Sequence, residues 1–270
     1  YLLQKGRGGY RLGHDRIFDH MMLDGLEDAY EPGRSMGTFG EDCAAKYGFT
    51  RAEQDAFATA SVERAKAATA SGAFAAEITP VTVKSRAGET VVSVDEGPGK
   101  VKLDKIASLK PAFKKDGTIT AASSSSINDG AAALVMMRAS TATKLGCKPL
   151  ARIVGHATHA QEPEWFATAP LGATQKALAK AGWAVGDVDL WEINEAFAVV
   201  PMALMKELNL PHDKVNVNGG ACALGHPIGA SGARIMVTLI YALQARGLKK
   251  GLATLCIGGG EATAVAVELV

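Results

Sequence analysis

Three segments of this 270-residue chain place proton-moving groups where an apolar run stops. Asn194-Glu195-Ala196-Phe197 follows Asp189-Leu190-Trp191-Glu192-Ile193. Asn216-Val217-Asn218-Gly219-Gly220 runs on to Gly225-His226-Pro227-Ile228-Gly229, and Cys256-Ile257-Gly258-Gly259-Gly260 closes a third apolar run. In open α/β sheets ligands bind at such strand ends. His226 lies just ahead of a helix predicted from about Gly229, where the N–H groups and the dipole disfavour imidazolium. A neutral imidazole there suits a base or a hydrogen-bond donor near pH 7; a capping or core histidine in a tight turn is the other reading. Cys256 precedes glycines whose missing side chains let a ligand approach and let backbone N–H groups face an oxyanion. Against that, free cysteine is among the most buried residue types. Asn194 reads as the N-cap of a helix predicted from about Glu195, a role that can coexist with a catalytic one.

Competing chemistries are excluded by spacing. Gly229-Ala230-Ser231-Gly232 lacks the second glycine of a nucleophile elbow in its proper place. The chain has neither a phosphate-binding G-x-x-x-x-G-K-[ST] loop nor a G-x-G-x-x-G after an early strand. His156 and His159 have no third ligand nearby, and Cys43, Cys147, Cys222 and Cys256 form no C-x-x-C pair, so no metal site is expected.

The elements that must position these loops follow from periodicity. Up to about Gly117 the chain is polar and loop-rich, with one helix expected over 50–71, Thr50 and Glu53 forming a capping box and Gly72 the stop. Strand-like runs cover 77–83 and 89–94. From Asn128 the pattern alternates: a buried strand is expected over Ala131 to Met137, then helix 139–145 and strand 151–155. Helix 171–181, strand 188–193, helix 195–208 and strand 214–217 come next. Helix 229–245 and strands 253–257 and 263–269 end the chain. This is an α/β layered pattern. Glycine, at 30 of 270, exceeds the usual ~7%, as tight turns require. With 29 basic and 28 acidic residues the net charge is +1, which provides no field to gather a nucleic acid. No run approaches the roughly twenty apolar residues of a membrane span. Unpaired cysteines fit a reducing compartment, and the cytoplasm is the expected location. Tyr1-Leu2-Leu3-Gln4-Lys5-Gly6 is neither a signal nor a transit peptide and reads like the middle of a longer protein.

The three loops together, Asn-Glu-Ala-Phe, Gly-His-Pro-x-Gly and Cys-x-Gly-Gly-Gly, are far more specific than any one alone. The combination resembles the thiolase family of coenzyme A-dependent acetyltransferases. Matches run the whole length: Gly9-Tyr10-Arg11-Leu12-Gly13, Ser35-Met36-Gly37-Thr38, Lys110-Pro111-Ala112-Phe113, Asn128-Asp129-Gly130-Ala131-Ala132-Ala133 and Val215-Asn216-Val217-Asn218-Gly219-Gly220. The resemblance implies a layered α-β-α-β-α fold of two similar halves with an inserted loop domain. Mapped here, 1–127 correspond to the CoA-binding loop domain, 128–149 to the last strand and helix of the first half, and 150–270 to the whole second half.

For the chemistry, the resemblance implies that His226 takes the proton of a nucleophilic cysteine and then helps hold the thioester oxygen. Cys256 removes an α-proton from the second acetyl-CoA, Asn194 fixes a water in one oxyanion hole, and the Gly258 N–H belongs to the other. Ser125 corresponds to a pantetheine contact, and Met36, Phe113, Phe166 and Phe197 to the lining of the acyl and pantetheine pocket; for the aromatics, plain core packing is the alternative. The expected substrates are acetyl-CoA and acetoacetyl-CoA, with no covalently bound cofactor. The nucleophile has no match: Cys43, Cys147 and Cys222 lack its context, so an N-terminal segment, on the same or a separate chain, is expected to supply it. A homo-oligomer, dimer or tetramer, is expected as well. Two departures stand out. Ser123-Ser124-Ser125-Ser126 replaces the family's usual Asn-Ala-Ser-Gly, and Glu261-Ala262 follows Gly260. Phe166 is bulky where an unbranched side chain is common, which points to a short acyl pocket. The alternatives are a degradative 3-ketoacyl-CoA thiolase of longer chains and a catalytically silent, CoA-binding subunit.

Overall fold

The computed structural model describes residues 1–270. After an irregular stretch, α1 (Met36–Tyr47) and α2 (Arg51–Ser71) lead to a hairpin of β1 (Val81–Ser85) and β2 (Gly88–Val92), then to the short α3 (Glu96–Lys100). Next come α4 (Ala139–Leu145), β3 (Ala151–Ala160), α5 (Ala169–Ala181), β4 (Leu190–Ile193) and α6 (Val199–Leu208). The short α7 (Ala221–Leu224), α8 (Ser231–Arg246), β5 (Lys250–Ile257) and β6 (Glu261–Leu269) complete the chain.

The strands β3-β6-β5-β4 form one mixed sheet, antiparallel except for the β4–β5 pair. Helices cover both faces. On one, α5 buries Ala169, Ala173, Ala177 and Leu178 in the main core with Trp191, Ile193 and Leu252. On the other, α8 presents Ile235, Leu239, Ala242 and Leu243 to Leu190, Ala253 and Val267. That is a helical period of apolar residues facing one side of a sheet, and each fully buried Leu or Ile contributes roughly 1.5–3 kcal/mol. The α-β-α layering follows the sequence pattern. So does α2, whose Thr50 hydroxyl accepts the Glu53 N–H while the Glu53 carboxylate takes the Thr50 N–H, and which stops at left-handed Gly72.

Two expected strands are corrected. Residues 131–137 form no strand, and Val135 and Met136 are 88% and 71% exposed. An apolar run becomes a buried strand only where a sheet edge receives it, and this segment pairs with neither sheet. Residues 214–217 make a single parallel bridge, Val215 to Trp191, because Asn216 turns left-handed at φ 47°. The early strands also shift to a 81–85/88–92 hairpin, exposed on both faces. No helix is long and apolar enough to cross a membrane.

Candidate functional site

Strand β4 is buried along its whole length, and it delivers Asn194 directly beside the end of β5, where the Asn194 N–H donates to the Thr254 carbonyl at 3.0 Å. The helix expected from Glu195 starts instead at Val199, with Ala198 as its cap residue. Asn194 therefore caps nothing. Its side chain is 2% exposed, its Nδ2 lies 3.4 Å from His226 Nε2, and its Oδ1 has no partner in the chain. A buried, unpaired carbonyl oxygen beside an imidazole is a built acceptor for a water or a substrate donor.

His226 is also placed differently from expectation. Helix α8 begins five residues later, at Ser231, so its dipole is not what keeps the ring neutral. The His226 N–H is tied to the Ser126 carbonyl at 3.0 Å. Burial, with the Arg234 charge adding to it, pulls the imidazole down to about 4. Ser231 Oγ donates to the Pro227 carbonyl at 3.0 Å and lies 2.6 Å from His226 Nδ1. With its own proton committed, the hydroxyl accepts Nδ1–H, which leaves the Nε2 lone pair facing Asn194. That tautomer is a base ready at Nε2.

Cys256, the penultimate residue of β5, is 6% exposed, and burial pushes its thiol up to about 12. The hairpin beyond it turns through Gly259 and Gly260, both left-handed; a Cβ at Gly260 would strike the Gln161 carbonyl. The Gly258 N–H donates to no group of the chain, and Met36 Sδ lies 3.4 Å from where a Gly258 Cβ would stand. Phe166 and Phe197 share the core with Cys256, and Phe113 meets Phe197 edge-on at 5.6 Å. Ser125 is zipped to the same loop, both its N–H and its Oγ donating to the Ala196 carbonyl at 3.0 Å. The structure thus gathers Met36, Phe113, Ser125, Phe166, Asn194, Phe197, His226, Cys256 and Gly258 around the ends of β4 and β5. A cleft of about 720 Å³ beyond Gly259 is lined by Asp28, Glu31, Glu162, Glu164 and Glu261, a lining that repels a pyrophosphate.

Sequence reading missed the residues that hold these loops together. The Glu195 carboxylate, fully buried, accepts from Ser61 Oγ at 2.7 Å, from Asn216 Nδ2 at 2.7 Å and from the Cys222 N–H at 3.0 Å. A Cβ at Gly220 would collide with that carboxylate and one at Gly219 with Ser61 and Ala65 of α2, so the paired glycines serve close packing of this loop against the Glu195 loop and against α2. The Asn-Glu and Asn-x-Asn-Gly-Gly motifs carried a signal for this contact, but α2's Ser61 carried none.

The family model for the thiolase C-terminal domain matches residues 147–269, and that for the thiolase N-terminal domain matches residues 1–140. The chain belongs to the thiolase family. It is 53% identical over 270 residues to the acetyl-CoA acetyltransferase of Chromobacterium violaceum, covering 99% of this chain and 69% of that protein. The Paracoccus denitrificans acetyl-CoA acetyltransferase is 50% identical, with 96% of this chain and 66% of the relative covered. Among solved structures, the Bacillus anthracis acetyl-CoA acetyltransferase superposes with a TM-score of 0.95 at 45% identity, over all of this chain and 68% of the other. Human mitochondrial 3-ketoacyl-CoA thiolase gives 0.92 at 36% identity, over all of this chain and 68% of that one. The thiolase fold is therefore established. One expectation is corrected: an N-terminal segment that carries the nucleophile was expected to be missing or to sit on a separate chain, but the thiolase N-terminal domain model matches residues 1–140, and the separate segment has no support. The chain spans about two thirds of the length of the relatives it matches.

Proposed function

We propose that this thiolase is an acetyl-CoA C-acetyltransferase interconverting two acetyl-CoA with acetoacetyl-CoA and CoA. The observation that carries the reading is the pairing of β4 with β5, which sets the orphan Asn194 Oδ1, with an Nε2-basic His226 beside it, at the end of one strand and a protonated Cys256 at the end of the next. His226, uncharged near pH 7, accepts at Nε2 the proton of the nucleophilic cysteine that the thiolase resemblance implies, the thiolate takes the acyl group as CoA leaves, and the imidazolium can then donate to the thioester oxygen. Asn194 Oδ1 holds the water that completes that donor pair. Opposite, the unpaired Gly258 N–H faces the second thioester oxygen. Cys256, held protonated, is poised to protonate the α-carbon of a departing acetyl-CoA enolate, which is its task in the thiolytic direction; the reverse step removes that proton. The names of the relatives support the acetyltransferase reading.

None of the four cysteines of the chain is assigned the acyl group. Cys43 is fully buried in α1, with burial pushing its thiol up to about 12. Cys222 is buried against Glu195 and held well above the usual thiol range by burial and that carboxylate. Cys147 is exposed beyond α4. The ring of His226 bonds only Asn194 and Ser231. Phe166 and Phe197, edge-on at 6.5 Å and both buried, fit a short acyl group. CoA enters as substrate over the loop domain at Ser125, and the exposed Ile153 on the sheet's outer strand β3 fits a chain that assembles into oligomers.

The test is thiolysis of acetoacetyl-CoA by the chain, followed by intact-mass and peptide-level detection of acetyl-cysteine. Turnover lost in His226→Gln and Cys256→Ser supports the assignment. An acetyl group on Cys256 itself overturns this division of labour, and CoA binding without turnover replaces it with the silent, CoA-binding reading.

A further inference from the structure

His159 belongs to no metal-binding cluster, yet both of its ring nitrogens are engaged. It lies near the end of β3, opposite Ala262 of β6, and its ring rests on Gly172 of α5, where a Cβ would strike the imidazole. Nδ1 is 3.1 Å from Lys176 Nζ, and Nε2 is 3.2 Å from Gln161 Oε1. An ammonium only donates, so Nδ1 carries the lone pair and Nε2–H is given to Gln161. That contact settles which way the Gln161 amide points. Gln161 Nε2 donates to the Trp165 carbonyl at 2.6 Å and to Thr168 Oγ1 at 2.8 Å, and Thr168 Oγ1 commits its own proton to the same carbonyl at 3.0 Å.

Trp165 is where the short turns Pro163–Thr168 kink, its backbone leaving the helical path at φ −102° and ψ 23°. The amide thus meets the chain one residue before Phe166, whose buried ring shares the core with Cys256. Through its main chain the same residue reaches the Cys256 hairpin. The Gln161 N–H donates to the Gly260 carbonyl at 3.0 Å, and Gly260, left-handed at φ 83°, has no room for a Cβ against the Gln161 and Glu162 carbonyls. One residue is bonded by its N–H to the turn after Gly258 and by its amide to the backbone that bears Phe166. Apolar burial is non-directional and does not by itself fix where a ring points. Hydrogen bonds are directional, and these converge on the kink that aims the ring.

We propose that Gln161 is a positioning residue for acyl-chain selection: its amide, oriented by His159, holds Phe166 in a fixed place relative to the Gly258–Gly260 turn that its N–H anchors. Gln161 touches no reacting atom. It acts through Phe166, so the proposal rests on the reading of Phe166 as a wall of the acyl pocket. Without the amide, the Trp165 carbonyl keeps only the Thr168 hydroxyl, and the ring can yield to a longer acyl group.

The test combines amide hydrogen exchange of the full chain, read by mass spectrometry, with paired thiolysis of acetoacetyl-CoA and a six-carbon 3-ketoacyl-CoA. In Gln161→Met, peptides covering 164–169 should exchange about tenfold faster, with α8 exchanging as in wild type. The kcat/KM ratio of the six-carbon substrate to acetoacetyl-CoA should rise about three- to tenfold, whereas plain destabilisation lowers both substrates alike. In a Phe166→Leu background the same substitution should change that ratio by less than about twofold, because the wall it acts through is gone. Unchanged exchange over 164–169, an unmoved ratio, or a full gain in the Phe166→Leu background each overturns the proposal. Should Gln161→Met not fold, His159→Leu, which unlocks the amide and leaves Gln161 in place, supplies the same contrasts at smaller amplitude. A wild type that thiolyses neither substrate defeats the functional assignment, and the exchange contrast then decides whether the amide holds the Phe166 turn.

Discussion

Asn216 gives its Nδ2 hydrogens to Glu195 Oε1 at 2.7 Å and to the Ile193 carbonyl at 2.8 Å, while its Oδ1 takes the Ile193 N–H at 2.8 Å. One amide thus stands in for a neighbouring strand at the end of β4 and clamps the carboxylate next to Asn194. The other carboxylate oxygen, bound by Ser61 and the Cys222 N–H, carries the tie into α2 and α7. Asn194 is held by its neighbours on three sides.

Replacing Glu195 by glutamine should therefore be costly despite its near-identical shape. Ser61 Oγ accepts the Gly220 N–H at 2.9 Å and gives its own proton to Glu195 Oε2 at 2.7 Å. Every partner of that side chain is a donor, and a glutamine NH₂ would face one of them. The expected loss is about 2–3 kcal/mol, read as a lowered urea midpoint with an unchanged slope. An unmoved midpoint would show that the contacts are not what secures the loop.

Acid should weaken the fold through His226. Its pKa falls from 6.5 in the unfolded chain to about 4 when folded, so between those values the unfolded state binds more protons. The contribution is complete above about pH 6.5 and is lost as pH falls toward 4, by about 3 kcal/mol. Glu77 tilts the opposite way: burial raises it from 4.5 to about 7, so its contribution is present in acid and is lost as pH rises through 7. The informative quantity is a difference. The stability gap between wild type and His226→Asn should shrink steadily from pH 6.5 to 4 in thermal melts, and a gap independent of pH would refute a depressed imidazole.

How far the sequence reached depended on whether a signal was local. The α2 capping box, the stops at Gly72 and Gly146 and the amphipathic face of α8 are written within a few residues, and the structure follows them. The run Ala131–Met137 has the composition of a buried strand, but a strand needs a neighbour, and neighbours are not encoded locally. The same limit hid Ser61 and Arg234. Their partners Glu195 and Glu192 lie 134 and 42 positions away, so no spacing rule joins them. For His226 the neutral charge state was legible and its cause was not: a helix dipole was expected, whereas burial and a guanidinium from α8 do the shifting.

Thiol reactivity should follow burial. Cys147 is exposed, whereas Cys43 and Cys256 are enclosed with their thiols pushed up to about 12, and only the thiolate reacts. In the folded chain at pH 7.5 iodoacetamide should label Cys147 first and the other three at least about a hundredfold more slowly, a contrast that urea abolishes. Peptide mapping against time reads the order. Fast labelling of Cys256 would mean that its end of β5 opens readily to solvent, contrary to the packing described.

Chain-length preference should respond to Phe166. Its ring meets Phe39 edge-on at 6.2 Å and Phe197 at 6.5 Å, and it is 3% exposed, so in the proposed function it is the wall with no slack on the acyl side of Cys256. Leucine is smaller by a few carbon atoms and keeps the site apolar, at a cost in stability of about 1–2 kcal/mol for the space it leaves. That space suits added methylenes of substrate, each worth about 0.8 kcal/mol on burial. Phe166→Leu should therefore raise kcat/KM for a six-carbon 3-ketoacyl-CoA relative to acetoacetyl-CoA by about three- to tenfold, with KM moving more than kcat because the gain is in binding. Paired thiolysis assays on the two substrates give the ratio. If it stays constant while the variant remains folded, Phe166 is core packing and the acyl pocket is closed elsewhere.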